Sequence, residues 1–269
     1  MDFFKVHIAK TGGTALRRCA PHGSAPEGKR EAHHAIASHC TTKGAWHLPP
    51  RLYPAAWRAT MASWPTFCVV RHPYERWLSL YRHEAHGKWR ESFWRDLFHR
   101  DGRAEPGFDV ALTLNASVFR VWSEAKLGAL EALAAAPPSR ACDVADPYMR
   151  LSCADDDCHS LAQSAAVFDA DGERACTHVV RYATLFGELQ RLKRAYGEAL
   201  VGRGAFNCLE PTKRGHREPR DVVPLDGERL HGADIPPDLR RRIERVYALD
   251  FEAFRFCTID DDAPDGGAP

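Results

Sequence analysis

The opening stretch MDFFKVHIAKTGGTALRRC restricts the fold more than any other part of the chain. An apolar run from Phe3 to Ile8 leads into Lys10-Thr11-Gly12-Gly13-Thr14, and a helix-like pattern starts at Ala15-Leu16-Arg17-Arg18. Adjacent glycines let the backbone turn tightly and come close to a ligand. The N–H groups of a first helical turn, with the helix dipole behind them, favour negative charge at that point. Thr11 and Thr14 add hydroxyl donors and Lys10 a mobile positive charge. Phosphate and sulfate both suit such a loop. The plainer reading is an ordinary strand–turn–helix connection. The order also differs from a Walker A loop, where the lysine follows the glycines and precedes Ser or Thr.

A second unit of the same kind follows in TFCVVRHPYERWLSLYRHE. Phe67–Val70 reads as a short buried strand. His72-Pro73 reads as a cap with proline in the first helical turn. Tyr74, Trp77, Leu78 and Tyr81 recur at helical spacing as a core face. Arg71 sits at the turn, and Ser79 lies just off the buried stripe. Further along, a short helix is expected over about Tyr53–Ala62, and DVALTLNASVFRVWSEAKLGALEALAAA reads as a helix ending at Pro137-Pro138. AAVFDADGERACTHVVRY reads as a hairpin of two strands around Asp171-Gly172. TLFGELQRLKRAYG is an amphipathic helix stopped by Gly197, and PPDLRRRIERVYALDFEAFRF a last amphipathic helix. Residues 260–269, DDDAPDGGAP, read as a disordered tail.

Helices alternating with short buried strands predict an α/β fold, a single domain over residues 1–259 with a central parallel sheet flanked by helices. Ligands of such sheets bind outside the carboxyl ends of the strands. Both turns would then share one edge, with Lys10–Thr14 and Arg71 forming a cradle for a ligand that carries two separated anionic groups.

Composition narrows the partners. The chain has 269 residues and a net charge of +1, so no global field favours nucleic acid or an anionic membrane, and any basic site is local. No apolar run approaches the ~20 residues that span a bilayer, and the short apolar start is not a secretory signal. The expectation is a chain soluble inside a cell or compartment, or one whose leader or anchor precedes this sequence. Nine cysteines without a C-x-x-C give little support to zinc-ribbon or thioredoxin chemistry, and no metal is expected. Cys68 reads as a buried thiol. Cys142, Cys153, Cys158 and Cys176 pair as disulfides in an oxidising lumen or stay thiols in cytosol.

Taken together, these motifs resemble the carbohydrate-type sulfotransferases that use 3′-phosphoadenosine 5′-phosphosulfate (PAPS). HIAKTGGTAL resembles their 5′-phosphosulfate loop, and CVVRHPYERWLSLY their 3′-phosphate motif, an arginine at a strand end with a serine eight residues later. WHLPP, CHSLAQSAAVFDADGERACTHVVRYATLFGELQRL and RVYALDFEAFRF are similar to three further family segments in the same order. The resemblance implies a sulfotransferase fold with a P-loop-like strand–anion loop–helix, PAPS as donor, PAP as product, and transfer of a sulfuryl group to an acceptor hydroxyl without a metal. It implies that Lys10, Thr11, Gly12, Gly13, Thr14 and Ala15 hold the phosphosulfate, and Arg71 and Ser79 the 3′-phosphate. Lys213, Arg214 and Gly215 in TKRGHR would close over the nucleotide, or form a solvated basic loop.

Lys10 would stabilise the charge that grows on the departing phosphate oxygen. A histidine suits the base that takes the acceptor's proton. His47 occupies the WHLPP position, with His33, His34, His39 and His159 as alternatives. His159 and Gln163 are acceptor contacts by resemblance. Ala162 and Ala166 depart from the family pattern, which has proline before the glutamine and an aromatic further on, and so bear on the acceptor pocket. A glycan or a small hydroxyl compound both suit the site as acceptor. Two rival readings remain open here, a nucleotide-dependent phosphotransferase and a catalytically silent PAP(S)-binding domain. The first lacks the Gly-Lys-Ser/Thr order and a clear magnesium-binding aspartate after a strand.

Overall fold

In the computed structural model of the chain, Thr66–Val70 is buried along its whole length. A strand covered on both faces requires such an uninterrupted run. The structure describes residues 4–6, 8, 11, 50, 58–59, 62–63, 65–86, 116–135, 159–168, 172–196 and 230–258. Two compact units divide the chain: one takes Met1–Arg71 and Ala136–His216, the other His72–Ala135 and Arg217–Pro269.

Among the described residues, the first unit is built on a three-stranded parallel sheet. β1 (Phe4–Val6) and β3 (His178–Arg181) flank the central β2 (Thr66–Val70). Val6 pairs with Cys68, and Val70 with Arg181. Phe67 and Val69 point to one face of β2, as the two-residue period of a strand dictates. There they meet Val180 and helix α4 (Leu185–Tyr196), whose Leu185, Leu189, Leu192 and Tyr196 recur at four, three and four residues. A short 3₁₀ turn, Tyr182–Thr184, links β3 to α4. His178 Nε2 and the Tyr196 hydroxyl lie 2.6 Å apart across the same junction. Partial burial, with the nearby Arg191 charge, holds the His178 imidazole below its ordinary pKa.

A threonine pair sets the start of the β2–β3 pairing. Thr66 Oγ1 donates to the Ala175 carbonyl at 3.0 Å and accepts from the Thr177 N–H at 2.8 Å, while the Thr66 N–H donates to Thr177 Oγ1 at 3.3 Å. Thr66 is 1 % exposed, so removing its hydroxyl leaves buried partners unsatisfied. Thr66→Val keeps the shape and is expected to cost about 1–3 kcal/mol, read as a lower denaturation midpoint at unchanged m-value. An unchanged midpoint would remove the threonine pair from the stability of this sheet.

Of the hairpin expected around Asp171-Gly172, the antiparallel pairing is present but short, and residues 169–171 lie outside the described set. Ser164–Val167 is a helical turn, α3, and the antiparallel contact is one bridge between Phe168 and Arg174. Gly172 has φ +80°, the left-handed conformation that glycine adopts without a Cβ penalty. His178–Arg181 pairs instead parallel to β2, where Val180 joins the core. Small side chains at Ala165 and Ala166 bury readily in a helical turn, and the valines of THVV fit a parallel strand.

The described residues of the second unit are mainly helical. α1 (Pro73–His86) and α2 (Ala116–Ala135) meet through aromatic side chains. Trp77 packs against Trp122 with ring centroids 4.9 Å apart, and Tyr81 against Phe119 and Trp122 at 5.1 Å each. The Trp77 indole N–H donates to Ser123 Oγ at 3.0 Å. Glu84 accepts from the Trp122 indole at 2.8 Å and from Lys126 at 3.1 Å. Of the helix expected over Tyr53–Ala62, Arg58, Ala59 and Ala62 are helical and exposed, while its other residues lie outside the described set.

The last helix expected as one is two, α5 (Pro237–Val246) and α6 (Ala248–Phe254). The break is at Tyr247, φ −113° and ψ 29°, whose buried ring lies edge-on to Trp77. Seating that ring in the aromatic core turns the chain between the two apolar faces. α6 then ends with Arg255 at φ 51°, the Phe256 N–H returning to the Phe251 carbonyl at 3.1 Å. This closes the helix in the way a C-terminal glycine usually does. On the outer face Arg242 grips Glu131 through two bonds, at 3.0 and 2.7 Å, and the guanidinium holds the Glu131 carboxyl below its usual range.

Candidate functional site

The two strands that precede the expected anion-binding turns in the sequence are neighbours in the sheet unit. β1 and β2 are parallel with Val6 opposite Cys68. Ile8 and Val70 are each two residues further on, and both are buried. Thr11 follows the end of β1 by five residues in the sequence, and Arg71 follows β2 directly.

Thr11 is 2 % exposed, and its hydroxyl donates to the Ile8 carbonyl at 2.9 Å. That three-residue return is a local side-chain bond that turns the chain. In this arrangement the Thr11 hydroxyl proton shapes the loop. Lys10, Gly12, Gly13, Thr14 and Ala15 lie outside the described residues, as do His47, His33, His34, His39, Lys213, Arg214 and Gly215.

Arg71 is held from two sides. Its backbone N–H donates to Gln163 Oε1 at 2.7 Å, and its carbonyl accepts from Gln163 Nε2 at 2.8 Å. Its guanidinium carbon lies 4.5 Å from the centre of the Tyr182 ring, a cation–π distance. Tyr182 follows directly on β3 and is 37 % exposed. Reading RY as the end of a hairpin hid this residue; a strand-end position beside that of Arg71 is the signal that identifies it.

The segment from His159 to Val167 is buried throughout, with His159 9 % exposed and Gln163 fully buried. The Gln163 amide is thus engaged with the backbone of Arg71 in this structure. Ala162 and Ala166 are buried within the same segment. Ser79 belongs to the helical unit, half-buried on α1 between the buried Leu78 and Leu80.

Cys68 and Cys176 are free, buried neighbours. Burial pushes the Cys176 thiol well above its ordinary pKa, with Cys68 beside it adding to the shift. Cys176 is thus a thiol in this structure, and Cys142, Cys153 and Cys158 lie outside the described residues. Among the described residues, no group of three or more His, Cys, Asp or Glu side chains has the arrangement to hold a metal ion. No helix among them is long and apolar enough to cross a membrane. Comparison with protein-family models, curated proteins and solved structures finds no match for the chain.

Proposed function

We propose that the chain is a PAPS-dependent sulfotransferase that moves a sulfuryl group to an acceptor hydroxyl, of a carbohydrate or a small alcohol. The parallel pairing of β1 with β2 carries this reading. The carboxyl ends of β1 and β2, which precede the two expected anion-binding turns in the sequence, lie side by side, and a ligand with an anion at each end would be held there. Arg71 at that edge, braced by Gln163 and Tyr182, fits a phosphate through its planar fork. Ser79 is assigned to the same 3′-phosphate, and Lys213, Arg214 and Gly215 to closure over the nucleotide.

In the reaction the acceptor oxygen attacks sulfur, the bond from sulfur to the phosphate oxygen breaks, and PAP leaves with the negative charge. Lys10 and the amides of Gly12, Gly13 and Thr14 meet that charge. The acceptor's proton passes to a base, assigned to His47.

The direct test is to incubate the chain with radiolabelled PAPS and a panel of glycans, phenols and small alcohols, and to measure PAP affinity by calorimetry. Label transfer to one acceptor class, with PAP bound, is the expected result. PAP binding without transfer to any acceptor would leave a nucleotide-binding domain. Magnesium-dependent ATP turnover in its place would make the chain a phosphotransferase. Absence of PAP affinity would end the proposal.

With an acceptor in hand, the base is read from the pH profile. A neutral imidazole accepts the proton, so kcat/KM should rise with pH through the neutral range and level off. In His47→Ala that rise should vanish and the plateau fall by about 10²-fold or more. A variant that keeps the wild-type profile would exclude His47, and the same measurement then passes to His159.

A further inference from the structure

We infer that Gln163 is the positioning residue of the phosphate-reading arginine: its side-chain amide fixes the Arg71 backbone and so aims the guanidinium. This rests on the function proposed above. A primary amide carries one donor and one acceptor group, with the chemistry of a peptide unit. Gln163 uses them on the Arg71 N–H and C=O, at 2.7 and 2.8 Å, as one residue of an added strand would. The bond falls one residue beyond Val70, where β2 ends and Arg71 leaves the sheet.

The glutamine is itself rigidly mounted. Its carbonyl accepts from the Ala166 and Val167 N–H groups at 2.9 and 3.1 Å, which anchors it to the turn α3. The side chain is fully buried, so water does not compete for the amide. On the far side of Arg71 the guanidinium lies over Tyr182, which is fixed in turn by the β3 residue Arg181 opposite Val70. Backbone and side chain of the arginine are thus held by different elements, and a fork that must match phosphate oxygens gains from such preorganisation.

The test compares PAP with AMP, which lacks only the 3′-phosphate, by calorimetry on the full chain. For Gln163→Met the PAP affinity is expected to fall about tenfold while AMP affinity stays within about twofold, the scale of losing neutral hydrogen bonds that orient a charged group. In an Arg71→Ala background the same substitution should leave the PAP-to-AMP ratio unchanged, because its effect passes through the arginine. Gln163→Glu supplies a second variant. A carboxylate accepts from the Arg71 N–H but does not donate to its carbonyl; the protonated acid does both. Its PAP preference, relative to wild type at the same pH, should be low at neutral pH and recover on acidification.

Equal losses for PAP and AMP would reduce Gln163 to a support of the fold and overturn the inference. So would an unchanged ratio, or a selective loss that persists without Arg71. A wild-type chain with no preference for PAP over AMP would instead fail the proposed function, and this role with it.

Discussion

Lys10→Ala is expected to lower the turnover of sulfuryl transfer by about 10²-fold or more, the range for losing one preorganised donor at a developing charge. The argument is about where charge moves. In PAPS the bridging oxygen is shared between phosphorus and sulfur; in the transition state it takes up the charge of a leaving phosphate. A cation aimed at that oxygen binds the transition state better than the ground state. The loss should therefore fall on kcat, with the KM for PAPS changed much less. Lys10→Arg separates position from charge. A guanidinium on a different stem keeps the charge but not the point contact, so it should recover only part of the rate. Near-normal turnover in Lys10→Ala would remove the lysine from this role and weaken the reading of HIAKTGGT as an anion loop.

What the sequence made legible follows the range of the interactions involved. The strand expected over Phe67–Val70 appears as Thr66–Val70, because an apolar β-branched run between breakers has few other uses. The face Tyr74, Trp77, Leu78 and Tyr81 is buried, since helical spacing alone decides which side chains align. Thr66 escaped the reading because it joins the strand through Thr177, 111 residues away. The hairpin is reduced to the bridge between Phe168 and Arg174 for the same reason. DADGER is a sound turn signal, but β2 offers His178–Arg181 a buried parallel partner that a local hairpin does not supply. The break at Tyr247 likewise depends on where one ring packs, which periodicity does not encode.

At the site, Arg71 was legible as a strand-end cation, but the two groups that hold it were not. Gln163 entered only through a resemblance, as an acceptor contact. Its bond to Arg71 spans 92 residues and joins a side chain to backbone, so neither propensity nor spacing carries it. The alternation of strand and turn gives the edge of a sheet, whereas the bracing of one guanidinium at that edge depends on tertiary packing.

That bracing makes Arg71→Ala the sharpest binding test. PAP affinity is expected to fall about 10²-fold, the worth of two charge-assisted bonds to one phosphate. AMP affinity should change by less than about threefold, since the proposed function assigns the 5′ end to the other loop. The variant should stay folded, because Gln163 grips the backbone of residue 71 and not its side chain. The loss of the contact with Tyr182 costs only about 0.5–1 kcal/mol at an exposed ring. Arg71→Lys keeps the charge and gives up the fork, so it should recover part of the PAP affinity and little of the discrimination against AMP. Raising salt should weaken wild-type PAP binding and shrink the gap between wild type and Arg71→Ala, because the difference between them is one cation facing one dianion. If PAP and AMP instead lose affinity together in Arg71→Ala, the arginine supports the nucleotide as a whole. The 3′-phosphate must then be read by another group, with Ser79 and the TKRGHR segment next to be tested.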